Sequence, residues 1–183
     1  MSEFAARYDR IARQFTDRVD AVPPGAWENR APCEGWVARD VVGHLVEWVP
    51  YFFSNYAGLS LATGPSVDDD PAAAWHALDR SLRAALADPD VAARQFDMRG
   101  QRYRIDAAID MFCTGDILVH TWDVARATGL DETLDPDEVH HMYTGMLPYD
   151  DMLRGSGQYG PRVDVPDDAD EQTKLIAFTG RHP

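Results

Sequence analysis

Four stretches of the chain repeat an apolar residue every three or four positions, the period of a helix that buries one face and wets the other. Residues 2–22 put Phe4, Tyr8, Ile11, Phe15, Val19 and Val22 on one stripe, which Pro23-Pro24 closes. A second stripe, Val37, Val41, His44, Leu45, Trp48 and Phe52, predicts a helix over 36–56. Asp70-Pro71 supplies an N-cap and a first-turn proline for a third helix over 71–87, with Trp75, Leu78, Leu82 and Leu86 on its buried edge. The fourth, over 105–128, runs through Ile105, Ile109, Phe112, Asp116, Val119, His120, Asp123 and Ala127 and stops at Gly129. Each helix must bury its stripe against another element, so the expected fold is an all-α four-helix bundle.

The connections are read from Pro, Gly and lost periodicity. Residues 23–36 and 58–71 are loops, and 92–104, centred on Arg99-Gly100, suits a short hairpin or an irregular crossover. Pro136 after Asp135 opens a shorter helix over 136–147. "RGSGQYGPRVDVPDDAD", 154–170, is expected as an extended surface loop before a short C-terminal helical segment at 170–179. At 183 residues and 45% hydrophobic content, with no shift in composition, one domain over 1–183 is expected.

Charge narrows the partners. Thirty-one acidic against 17 basic side chains give a formal charge of −14, which repels phosphate backbones and anionic headgroups, so neither a nucleic-acid nor a membrane partner is expected. The N-terminus is charged from its third residue and no apolar run is long enough to span a bilayer, so a cytoplasmic protein is expected. Cys33 and Cys113 stand alone without CxxC pairing, as free thiols in a reducing compartment do.

Polar residues interrupt two of the apolar stripes. His44 lies in the second, and Asp116 and His120, four apart and so on one side of a helix, lie in the fourth. A buried unpaired carboxylate is expensive, and a divalent cation among two imidazoles and one carboxylate reconciles all three, leaving coordination positions open for water or substrate. Spacing alone equally allows hydrogen-bonded core histidines and an ordinary i,i+4 pair on a partly wet face. Glu47, three after His44, is a candidate base or hydrogen-bonding support for the centre, or an exposed glutamate at the edge of the stripe. Asp123 reads as a helix-end partner of Arg126, Cys33 as packing, and Trp48, Trp122 and Phe52 as core or pocket wall.

"PCEGWVARDVVGHLVEW" at 32–48, "DILVHTWDVARATG" at 116–129 and "LIAFTGRHP" at 175–183 together resemble the DinB-like superfamily of four-helix metalloproteins. More narrowly, they resemble its actinobacterial branch related to the N-terminal domain of mycothiol-dependent maleylpyruvate isomerase. The resemblance implies a DinB-like bundle with a short additional C-terminal helix and a divalent metal, zinc or nickel, held by His44, Asp116 and His120. Asp116 stands where such relatives more often carry glutamate. The implied activity is that of a thiol-dependent transferase or isomerase, with the metal activating mycothiol or a similar thiol toward a small electrophile. A non-catalytic ligand-binding or regulatory bundle with a decayed metal site, and a metal-dependent hydrolase, are the competing expectations. A small-molecule electrophile, a thiol and a second copy in a homodimer are the expected partners.

Overall fold

The computed structural model describes residues 2–155 and 159–183. Helix α1 spans Glu3–Asp20, with the Ser2 hydroxyl accepting from the Ala5 N–H as its cap. Helices α2, Ala38–Ala57, and α3, Pro71–Ala87, follow; Asp70 caps α3 through the Ala73 N–H and Pro71 occupies its first turn. A single short helix, α4, Pro89–Ala93, leads into an antiparallel hairpin of β1, Gln95–Met98, and β2, Gln101–Arg104, turning at Arg99-Gly100.

The fourth long helix is interrupted. It begins as α5, Ile105–Ala108, widens into a π-helical segment over Ile109–Thr114, and resumes as α6, Gly115–Thr128. The periodicity of 105–128 fits one unbroken α-helix, because a π segment adds a residue to a turn without disturbing the apolar content that the pattern reports. The Thr114 hydroxyl donates to the Ile109 carbonyl at 3.3 Å, giving that group a partner inside the widened turn.

Helix α1 packs on α3 and α6, and α2 packs on the same two, so the bundle runs α1–α3–α2–α6 in cross-section. The buried edges match the sequence stripes: Tyr8, Ile11, Phe15 and Val19 from α1; Val41, Leu45, Val49 and Phe53 from α2; Trp75, Leu78 and Leu82 from α3; Ile117, Leu118 and Trp122 from α6. Polar pins cross the α1–α3 seam, where the Tyr8 hydroxyl donates to Asp79 at 2.9 Å and the Trp75 indole to Thr16 at 2.8 Å.

Beyond the bundle, α7, Pro136–Met146, packs against α9, Glu171–Phe178, and the short α8, Asp150–Gly155, leads into the expected loop. Residues 156–158 of that loop lie outside the described residues. After α9 the chain turns back: the Gly180 N–H bonds to the Ala177 carbonyl at 3.1 Å and the Arg181 N–H to the Ile176 carbonyl at 3.3 Å, the paired bonds of a Schellman ending. Among the described residues, no helix is long and apolar enough to cross a membrane.

Candidate metal centre

Helix α2 rolls so that Val41, Leu45 and Val49 face the core, leaving His44, Trp48 and Phe52 half-buried along one edge. That edge lies against α6, which contributes Asp116 and His120 one turn apart. The loop before α2 closes the third side. In "CEGW", Gly35 at φ +80° permits a turn in which the Trp36 N–H donates to the Cys33 carbonyl at 3.1 Å. Asn29, in the same loop, donates its side-chain amide to the Ala127 carbonyl at 3.0 Å and so ties the entry of α2 to the end of α6. The Trp36 ring then lies 5.2 Å from His44 and 6.1 Å from His120, centre to centre, covering both imidazoles.

Nε2 of His44 stands 3.3 Å from one Asp116 oxygen, and Nε2 of His120 stands 3.4 Å from the other. One ligand atom from each of the three residues falls within a common 4.8 Å. The N···O separations exceed the roughly 2.7–2.9 Å of a charge-assisted hydrogen bond. They match the edge of about 3.4 Å between donors sharing a tetrahedral cation at bond lengths of about 2.1 Å. The donor chemistry, two imidazole nitrogens and a carboxylate, also suits zinc or nickel, so the residues fit the metal implied by the resemblance. The His44 and Asp116 side chains keep 35% and 30% of their exposure, which leaves this cluster open to solvent on one side.

Supporting contacts fix the set. The Trp48 indole N–H donates to Asp116 at 3.0 Å. Nδ1 of His120 bonds to Asp123 at 2.8 Å, leaving Nε2 to face Asp116. Asp123 is wholly buried and accepts two 2.7 Å bonds from the Arg181 guanidinium, one on each oxygen. Burial disfavours the charged form of His120, but the Asp116 carboxylate and then Asp123 outweigh it and lift its pKa to about 9. Burial likewise opposes ionisation of Asp116, and the two imidazoles reverse that, holding its carboxyl well below the ordinary range. Asp123 is also lowered, with burial opposed by His120 and Arg181.

The structure thus brings His44, Asp116 and His120 together and leaves Glu47 exposed and outside that cluster. Two expectations are corrected. Asp123 does not pair with Arg126, which instead bonds to Glu132 at 2.9 Å and lies over the Trp122 ring; Asp123 points inward to His120 because i+3 places it on the same helix side. Cys33 is more than packing, since its sulfur lies 3.4 Å from Arg181 and 3.6 Å from Asp123. Burial, reinforced by the Asp123 charge, pushes its thiol up to about 12. The sequence reading missed Trp36, the partners of Asp123, and Arg181, whose 58-residue separation from Asp123 no local pattern reports.

A four-helix bundle with two histidines and a carboxylate gathered at the seam of α2 and α6 defines a DinB-like protein. The chain belongs to the mycothiol maleylpyruvate isomerase N-terminal domain family, whose profile matches residues 8–125 and so takes in every residue of the three-ligand cluster. No curated protein and no solved structure matches the chain.

Proposed function

We propose that this protein is a metal- and thiol-dependent enzyme of the transferase or isomerase type, using mycothiol or a similar low-molecular-weight thiol against a small electrophile. The observation that carries the reading is the convergence of Nε2 of His44, Nε2 of His120 and the Asp116 carboxylate within 4.8 Å, at an edge of the bundle that solvent reaches. A divalent cation held there, zinc or nickel, supplies Lewis acidity that lowers the proton affinity of a bound thiol or water.

The chain's own residues supply the rest. Asp123 holds the His120 ring, Trp48 holds one Asp116 oxygen, and Trp36 shields both imidazoles. Neither cysteine is set up to be the nucleophile: Cys33 titrates at about 12, and complete burial with the nearby Asp116 charge raises Cys113 as well. A sulfur nucleophile must therefore arrive as a cosubstrate, which agrees with the family's association with mycothiol.

The test is consumption of a panel of small electrophiles by the zinc- or nickel-loaded protein, with and without mycothiol. Thiol-dependent turnover that vanishes in His44→Ala supports the reading. Turnover of esters or amides without any thiol would instead make the centre a hydrolase, and no turnover with a fully loaded centre would make the chain a binding bundle.

A further inference from the structure

We propose that Arg181 is a positioning residue for the metal centre, so that docking of the C-terminal arm and loading of the cation are one coupled equilibrium. The proposal rests on the reading of His44, Asp116 and His120 as ligands and adds a part of the chain, residues 176–183, that lies beyond the 8–125 family match.

Three contacts in series make the connection. His120 offers Nε2 toward the cluster only while Nδ1 is engaged, and the partner of Nδ1 is Asp123, 2.8 Å away and with no exposed side-chain surface. A carboxylate with no access to water needs charged or hydrogen-bonding partners to stay ionised and oriented. Besides His120 and the weak Cys33 donor, that partner is Arg181, whose planar fork reaches both carboxylate oxygens and fixes the plane of the group. The Arg181 side chain is itself only 13% exposed. Without it, Asp123 loses the fork that fixes the plane of its carboxylate, and the His120 ring loses the oriented bond that determines which nitrogen faces the cluster.

Arg181 reaches this point through backbone geometry that tolerates little change. The Schellman ending of α9 makes Arg181 the residue whose N–H returns to Ile176, and the turn requires Gly180 at φ +89°. A Cβ on Gly180 would lie 2.9 Å from the Gly160 Cα, so the 160 segment is pressed against the turn that aims the arginine. Ile176 and Leu175 bury in the same core as α6, which seats α9 beside the centre rather than leaving the arm loose. Any motion that lifts the arm therefore breaks the Arg181–Asp123 pair and frees His120. By reciprocity, a cation that locks His120 must also favour the seated arm.

The experiment measures cobalt(II) and zinc affinity by competition with a chromophoric chelator, the visible spectrum of the cobalt form, and amide hydrogen exchange over 176–183 with and without cation. Arg181→Met and Asp123→Asn should each weaken binding about 10–100-fold, the range for loss of a group that orients a metal-bound histidine, and should shift the cobalt absorption. Arg181→Lys, which keeps the charge and the stem and so guards against simple misfolding, should still bind several-fold more weakly because one ammonium cannot span both oxygens. Cation should slow exchange at Thr179–Arg181 in the wild type and have no such effect in His44→Ala, where the Arg181–Asp123 pair is intact but a ligand is missing. Wild-type affinity and spectrum in both Arg181 variants, or exchange indifferent to cation, overturns the proposal while leaving the three-ligand centre standing. A wild type that binds neither metal overturns the centre itself and the coupling with it.

Discussion

Loading the centre with a cation should expel a proton at neutral pH, because the carboxylates around His120 favour its charged form. The Asp116 and Asp123 carboxylates overcome burial and hold this imidazole at a pKa of about 9, whereas a metal ligand must be neutral. At pH 7 the group lies about two pH units below that value, so only about 1% of the unloaded protein presents a free Nε2. Removing the proton then costs on the order of 3 kcal/mol. Apparent affinity for zinc should rise about tenfold per pH unit from 7 and flatten beyond 9, a gain of about 100-fold. Calorimetric titration at pH 7.5 in buffers of contrasting ionisation heat counts the protons released, and about one per cation should come from His120. His120→Ala cannot serve as the comparison because it removes the ligand, so the control is His76→Ala, whose ring pairs with Asp20 on the surface and should leave the profile unchanged. Affinity that stays flat between pH 7 and 8.5, with no proton released after correction for the chelator, refutes this reasoning.

Without metal, the same group makes stability fall with pH. Folding raises the His120 pKa from its ordinary 6.5 to about 9, so its stabilisation is complete below pH 6.5 and is lost as pH climbs through 9; chemical denaturation should show a drop on the order of 3 kcal/mol over that window, absent in His120→Gln. Leu45→Ala empties a fully buried position in α2 and should cost about 2–5 kcal/mol by the same measurement, with a lowered midpoint and an unchanged denaturant slope. Asp116→Glu, which adds one methylene of reach, should retain stoichiometric zinc by elemental analysis. With 31 acidic and 17 basic residues, the protein should show no salt-sensitive affinity for DNA or anionic vesicles, measurable by fluorescence anisotropy and co-sedimentation.

The bundle was legible because its information is local and periodic. Tyr8, Ile11, Phe15 and Val19 recur at helical spacing, Asp70-Pro71 marks the start of α3, and Arg99-Gly100 marks the hairpin turn, each without knowledge of any distant partner. The pairing of Asp116 with His120 was legible for the same reason, since four residues return to one side of a helix. Bringing His44 to them was not, because stripe periodicity says which face of α2 is apolar and nothing about which helix that face meets. The π segment left no mark, as Ile109 and Phe112 satisfy an α-helical pattern equally well. Asp123 shows the sharpest contrast: its i+3 relation to His120 and its i+3 relation to Arg126 are equally good in sequence, and burial alone selects the first. Arg181 was present in the "LIAFTGRHP" resemblance, but its role depends on a chain reversal 58 residues downstream of its partner.

Metal content per chain tests the central claim most directly. After chelation, reloading with zinc and removal of excess, elemental analysis should give one zinc per wild-type chain and per His76→Ala chain, and none in His44→Ala or His120→Ala with the helical circular dichroism unchanged. Equal loading of wild type and His120→Ala would contradict the account, because Nε2 of His120 is one of the three donors that define the centre.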